Sequence, residues 1–184
     1  GGTVLKLAAI DRRVRCVVSQ VPLVNGLESL ASLLPLSALR DFHAMIDADR
    51  ERRMAGEASQ YVRVCSNDPA DPAVFPGTAT YDFFHRMMDD MPQLNWENKC
   101  TVRSLEHMLE YDVTGFMAKI SPTPMMMIVS DYDTTTPTDI AVRMFERAAE
   151  PKRLVVVADD HYAAYLEGFD ETSGAAREWF LAHL

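Results

Sequence analysis

Two short polar clusters stand directly behind two apolar runs. MMMIVS (125–130) is followed by Asp131-Tyr132-Asp133 and then Thr-Thr-Thr-Pro137, and RLVVVA (153–158) is followed by Asp159-Asp160-His161. A carboxylate that accepts the Nδ1–H of an imidazole fixes its tautomer and stabilises the imidazolium, which readies the other ring nitrogen as a general base. In open parallel sheets, functional groups sit on loops just past the carboxyl ends of strands. If the two runs are consecutive strands, an acid behind one and a histidine behind the next lie side by side. Taken singly, an aspartate behind a strand more often makes a turn or a cap, and a lone loop histidine is more often plain polar surface. The pairing at consecutive strand ends is what points to chemistry. Four aspartates compete for the role of acid. Asp159 and Asp160 adjoin His161 in the chain, and such neighbours rarely fold back onto the same ring. Asp133, at the turn into the next segment, is the preferred acid, and Asp131 is the runner-up.

The surrounding pattern supplies the elements that such a pair needs. Residues 1–9 (GGTVLKLAA) read as a small apolar helix and residues 14–18 (VRCVV) as a buried β-branched strand. From 24 to 118 apolar residues recur at helical spacing, in 27–34, 38–55, 80–91 and 101–109, with Ser37 and Thr101 as expected N-caps. Between them SNDPADPAVFPGT (66–78), rich in proline, reads as an irregular connection. This block is expected to be an all-helical insertion. Strand 125–130, a helix from Thr138 (its expected cap) to Ala149, strand 153–158 and an amphipathic helix over 166–184 follow. Strand, helix, strand, helix with apolar strands predicts an α/β fold with a parallel sheet.

Composition narrows the function classes. The chain has 184 residues, enough for one domain with a core, and 48% of them are hydrophobic, which is ordinary for a globular protein. A net charge of -9 argues against nucleic acid or an anionic membrane as the main partner, because both call for a basic face. No apolar run approaches the roughly 20 residues that span a bilayer. Cys16, Cys65 and Cys100 are odd in number and widely spaced, without a CxxC, so neither a zinc site nor a disulfide framework is expected and a reducing, cytoplasmic setting is the simpler expectation. His43, His85 and His107 stand at no metal-ligand spacing. Most of the eleven methionines fall between Met45 and Met127. They are read first as core filler and second as an adaptable surface for an oily substrate.

The segments SPTPMMMIVSDYDTTTPTD and EPKRLVVVADDHYAAYLEGFDETSGAAREWFLAHL resemble the C-terminal part of an α/β-hydrolase. More narrowly they are similar to the fungal polyketide transferase and thiohydrolase group, with dienelactone-hydrolase-like relatives. DRRVRCVVSQVP and NWENKCTVRSLEHMLEYD fit the same group. The resemblance implies a single partial α/β-hydrolase domain over 1–184, in which 24–118 is a helical lid. It implies Asp133 as triad acid and His161 as base. It also implies a G-x-S-x-G nucleophile elbow whose tail is Gly1-Gly2, so that the nucleophile lies upstream of this chain. Among residues present, Ser19 lacks the flanking glycines of an elbow, Ser130 precedes the acid turn, and the three cysteines sit in a strand or in the helical block. None is a good substitute. Asp159-Asp160 stands where such enzymes often carry glycine.

Two readings follow. In the first, the parent protein is a serine hydrolase or acyltransferase for an ester or thioester with a polyketide-like or fatty acyl group. Phe42, Met45, Phe83, Phe84, Met87 and Met88, with Met91, are the substrate-binding candidates, although packing of the helices on one another is the commoner role for any one of them. No cofactor and no metal are implied, and the partner is a small acyl substrate. In the second, the chain is a truncated, non-catalytic remnant or binding module. An open first strand then predicts poor solubility or a homodimer. Trp96 and Trp179 are read as packing anchors rather than ligand-stacking residues.

Overall fold

The computed structural model of the protein describes residues 1–68 and 70–184. In chain order its elements are α1 (Gly2–Ile10), β1 (Val17–Gln20), α2 (Gly26–Leu33), α3 (Leu36–Met54), β2 (Tyr61–Val62), β3 (Cys65–Ser66), β4 (Phe75–Pro76), α4 (Thr78–Asp90), β5 (Cys100–Thr101), α5 (Val102–Glu110), β6 (Met125–Ser130), α6 (Thr138–Glu146), β7 (Lys152–Val157) and α7 (Phe169–His183). They fall into two compact units, one formed by residues 1–33 and 109–184 and the other by 34–108.

The first unit is built on a parallel three-stranded sheet of order β1-β6-β7. Val17 pairs with Met125 and Gln20 with Ile128, while Met125 pairs with Lys152 and Ser130 with Val157. All six residues of the central strand β6 are buried, as expected of a parallel strand covered on both faces. Successive side chains point to opposite faces. Met125, Met127 and Val129 pack with Leu5 and Ala8 of α1 and Ile140 and Met144 of α6, whereas Met126 and Ile128 pack with Val157, Ala164 and Trp179 on the other side. The sheet is thus sandwiched between helices, which places the loops behind β6 and β7 at one end of two adjacent strands.

The first strand begins at Val17, three residues later than the 14–18 expected from sequence. Ladder pairing starts only where the Val17 N–H donates to the Pro124 carbonyl (2.9 Å), while the Val14 N–H turns back to the Asp11 carbonyl (3.1 Å). Helix α1 starts against the chain that leaves β1, and it does so on glycine. A Cβ at Gly1 would lie 2.3 Å from the Gln20 carbonyl oxygen, and one at Gly2 would lie 2.0 Å from that of Leu23. Those neighbours are backbone and cannot swing away. Gly2→Ala is therefore expected to destabilise the chain by about 1–3 kcal/mol, read as a lower urea midpoint with an unchanged slope. An unchanged midpoint would show that α1 has room to spare.

The second unit holds α3, α4 and α5 and departs from the all-helical expectation. Two-residue strands pair β2 with β5 antiparallel and β3 with β4 parallel. Pairs this short carry no periodicity in the sequence, and their partners are distant in the chain. The borders also differ from 24–118. Residues 24–33 and 109–118 belong to the sheet unit, where the Val113 N–H donates to the Val24 carbonyl (2.9 Å) and Met117 joins the core. The expected irregular connection 66–78 includes Pro69, which lies outside the described residues, and it holds the second residue of β3 and all of β4. Of the expected caps, Thr101 serves α5, accepting the Ser104 N–H at 3.2 Å. Ser37 and Thr138 do not cap. Their helices open behind Pro35 and Pro137 without a side-chain cap bond, and the Thr138 hydroxyl donates instead to the Ser130 carbonyl (2.6 Å), tying α6 to β6.

One ion network ties this unit together. Asp49, fully buried, accepts the Gln60 N–H (2.7 Å), the Ser59 hydroxyl and Arg53 Nε (2.8 Å), and Glu106 of α5 accepts Arg50 Nε (2.6 Å) and Arg53. Burial opposes the charge on Asp49, but the bonds from Gln60, Arg53 and Ser59 outweigh it and hold its pKa below the ordinary 3.8. The Arg50 hydrogen bond, helped by Arg53, holds Glu106 below the ordinary 4.5. A depressed carboxylate contributes stability that is complete above its unfolded pKa and is lost as pH falls through the folded value. Stability of the chain is therefore expected to fall as pH drops below about 4.5, with a shallower fall in Glu106→Gln. Urea midpoints between pH 6 and pH 3 measure both.

Candidate active site

The sheet delivers the two residues singled out by their strand ends to the same place. His161 Nδ1 lies 2.8 Å from Asp133 Oδ2. Their side chains are 14% and 2% exposed, so the bond is shielded from water while the imidazole keeps an open edge. The local backbone fixes Asp133 first. Its Oδ1 accepts the N–H groups of Thr135 (2.8 Å) and Thr136 (2.7 Å), the Asx turn that opens the Thr-Thr-Thr-Pro137 segment. Its Oδ2 accepts the Thr136 hydroxyl (2.9 Å) and His161. Every bond orients Oδ2 toward the ring, so Nδ1 carries the proton. No bond occupies Nε2 among the described residues. That is the arrangement of a base held by its carboxylate and free at its working nitrogen.

The other aspartates have structural duties. Asp131 Oδ1 accepts the Asp159 N–H (2.8 Å), joining the ends of β6 and β7. Asp160 Oδ1 accepts the N–H groups of Tyr162 (2.7 Å) and Ala163 (3.1 Å), starting the turn that carries His161. Asp159 has φ +83°, a conformation suited to glycine, which accounts physically for a position where glycine is the easier residue. Tyr162 and Tyr165 flank the imidazole, with ring centroids 5.0 and 6.2 Å away. Desolvation of the Tyr165 hydroxyl, followed by the negative charge of Asp133 and by Tyr162, pushes this phenol above its ordinary value.

Thr136 was not legible as a site residue. Its hydroxyl lies 2.9 Å from Asp133 Oδ2, 3.2 Å from His161 Nδ1 and 3.3 Å from the Val21 carbonyl. A hydroxyl has one proton to give, and the closest and only charged acceptor is Asp133. Val21 itself has φ +36°, a strained value for a β-branched residue. It follows β1 immediately and brings the end of that strand into the cluster. Gln20 does the same, donating from Nε2 to the Ala164 carbonyl (3.1 Å). The carboxyl ends of all three strands therefore meet around Asp133 and His161.

No protein-family model matches the chain. Among curated proteins it is 28% identical over 159 residues to the polyketide transferase grgF of a Penicillium species, a match that covers 85% of this chain and 50% of the relative. It is 26% identical over 170 residues to a thiohydrolase of Eupenicillium brefeldianum, covering 90% and 53%. The chain thus spans about half the length of the curated relatives it matches. Among solved structures it superimposes on the α/β hydrolase GrgF from Penicillium sp. sh18 with a TM-score of 0.72 at 23% identity, covering all of this chain and 61% of the other. The monoacylglycerol lipase of Paleococcus ferrophilus gives 0.66 at 18%, covering 100% and 66%.

The chain has the α/β-hydrolase fold.

Within this α/β-hydrolase fold the alternative nucleophiles are occupied or shielded. Ser19 is buried and donates to the Gly1 carbonyl (3.0 Å). Ser130 is wholly buried. Cys16 lies just before β1 rather than within a strand, and burial raises the thiols of Cys16, Cys65 and Cys100, which lowers their thiolate fraction. The substrate-binding candidates all lie in the 34–108 unit, half-buried: Phe42 and Met45 on α3, and Phe83, Phe84, Met87 and Met88 on α4, with Met91 just behind it. Phe84 stacks on Trp96 at a centroid distance of 4.7 Å and meets Phe83 edge-on at 5.6 Å, so packing engages these rings. Trp179 packs against the core cluster of Met126, Ile128 and Val157. His85 stacks on Tyr81, and among the described residues no group of three or more His, Cys, Asp or Glu is placed to hold a metal. Among the described residues no helix is long and apolar enough to cross a membrane.

Proposed function

We propose that Asp133 and His161 are the acid and base of a Ser-His-Asp triad in a hydrolase or acyltransferase that acts on an ester or thioester with a polyketide-like or fatty acyl group. The observation that carries this reading is the 2.8 Å bond from His161 Nδ1 to an Asp133 carboxylate whose remaining lone pairs are taken, with Nε2 left open. The nucleophile is assigned to residues upstream of Gly1. Support comes from the two glycines that open α1, where any Cβ would strike backbone, and from the Ser19 bond to the Gly1 carbonyl at the carboxyl end of β1. The relatives named polyketide transferase and thiohydrolase support the acyl chemistry.

In the reaction, His161 Nε2 removes the serine proton as the serine oxygen attacks the acyl carbon. Asp133 stabilises the imidazolium, which then protonates the departing alcohol or thiol. Water or an alcohol resolves the acyl-enzyme by the reverse proton path, giving hydrolysis or transfer. The 34–108 unit, the part of the expected 24–118 insertion that lies outside the sheet unit, is assigned the role of lid, with Phe42, Met45, Phe83, Phe84, Met87 and Met88 selecting the acyl chain. Their test is a shift of acyl-length preference in Met87→Ala and Met88→Ala.

Sequencing the transcript upstream of the Gly1 codon tests the assignment of the nucleophile. An in-frame G-x-S-x ahead of Gly1, itself preceded by strand-like segments, is the expected result. A reading frame that starts at Gly1 would leave the product without a nucleophile and make the non-catalytic remnant the correct reading.

A further inference from the structure

We propose that the 34–108 unit carries a binding site for an organic phosphate, formed by Arg50, Arg53 and Arg103. The three guanidinium-bearing side chains line a cleft of about 560 Å³ that Met54 and Ala58 complete with apolar surface. Two of the arginines are held in place. Arg50 gives Nε to Glu106 (2.6 Å) and Nη1 to Asp47 (3.0 Å), and Arg53 gives Nε to Asp49 (2.8 Å) and Nη2 to Glu106. Asp49 is fully buried and Glu106 is 13% exposed, and neither lines the cleft. The carboxylates therefore anchor the guanidiniums from outside the cleft lining. Nη2 of Arg50 and Nη1 of Arg53 make no bond among the described residues, and neither does the side chain of Arg103, whose backbone N–H is fixed by Ser59 Oγ at 3.1 Å. The one acid that lines the cleft, Glu57, is engaged by Arg52 at 2.6 Å.

Guanidinium N–H groups match the oxygens of a phosphate, and prior anchoring reduces the side-chain ordering that binding would otherwise cost. Three donors suit a dianion better than a carboxylate. The volume exceeds that of a bare ion, and the wall of Met54 and Ala58 gives an attached organic body something to lie against. Four arginines (50, 52, 53, 103) face four acids (Asp47, Asp49, Glu57, Glu106) in the whole cluster. Recognition thus rests on donor geometry more than on net charge. Binding is accordingly expected to be of moderate strength and to weaken with salt. The inference is independent of Asp133 and His161.

The test is a titration of the chain with phenyl phosphate at low ionic strength and neutral pH, followed by calorimetry and by NMR of the arginine side chains, with inorganic phosphate and benzoate as comparison probes. Phenyl phosphate is expected to bind one to one and more tightly than either comparison probe, and to shift the Arg50, Arg53 and Arg103 signals. Arg103→Gln, a change at an exposed side chain without a partner, is expected to weaken binding about tenfold while leaving the thermal midpoint of the free protein in place. Undiminished binding by Arg103→Gln, benzoate binding as tight as phenyl phosphate, or the absence of arginine signal shifts would each overturn the proposal.

Discussion

Asp133→Asn is expected to lower kcat/KM by about four orders of magnitude, with an acyl thioester as substrate and the protein that carries the nucleophile as enzyme. The size follows from which oxygen faces what. Oδ1 accepts two backbone N–H groups, from Thr135 and Thr136, and those donors do not move. An asparagine must therefore place its carbonyl oxygen at the Oδ1 position and its NH2 at the Oδ2 position. The NH2 then points at His161 Nδ1, which can satisfy it only as an acceptor. The ring proton is driven to Nε2, the nitrogen that must be unprotonated to take the proton of a nucleophile. The fold survives and the tautomer is wrong. His161→Ala removes the base altogether and gives a loss of similar size, and because the residues act as a unit the double variant is expected to be no worse than the poorer single one. Activity within tenfold of the parent in both variants would remove Asp133 and His161 from the mechanism.

The strand ends were legible because the chemistry and the pattern coincide. MMMIVS matches β6 residue for residue, since a strand buried on both faces in a parallel sheet reads as an unbroken apolar run. Asp133 and His161 follow from it, because the loops behind adjacent parallel strands must lie together. What depended on distant partners was not legible. The start of β1 is set by the Pro124 carbonyl, more than a hundred residues away, rather than by its own β-branched residues. The two-residue strands Tyr61–Val62 and Cys100–Thr101 exist only because they meet. Thr138 satisfies the rule for a helix cap, yet its hydroxyl is drawn to the Ser130 carbonyl. The cluster of Asp49, Arg50, Arg53 and Glu106 left one faint trace, the i,i+4 spacing of Asp49 and Arg53, which usually marks a solvated helix face. Here the aspartate is buried because Ser59 and Gln60 fold back onto it.

Thr136→Val is expected to lower kcat about tenfold and to leave KM unchanged. In the sequence Thr136 was one of three consecutive threonines in a turn. In the structure its hydroxyl stands within hydrogen-bond reach of both members of the pair, 2.9 Å from Asp133 Oδ2 and 3.2 Å from His161 Nδ1. Valine keeps the shape and removes a charge-assisted bond, a loss on the order of 1.5–3 kcal/mol when the carboxylate has no replacement donor. Two backbone N–H groups still hold Oδ1, which sets the expectation at the lower end. Without the hydroxyl, Asp133 Oδ2 is held only by His161, and the carboxylate gains freedom to rotate away from the ring as charge develops on it. Substrate is not touched, so the effect belongs to kcat. Thr136→Ser, which restores the hydroxyl, is expected to recover most of the rate, and Thr136→Val added to Asp133→Asn is expected to cost little more, because the orientation that the hydroxyl protects is already gone. A rise in KM confined to Thr136→Ser would instead mean that the threonine methyl shapes the substrate pocket, and an undiminished kcat in Thr136→Val would mean that the backbone N–H groups of Thr135 and Thr136 alone position the acid.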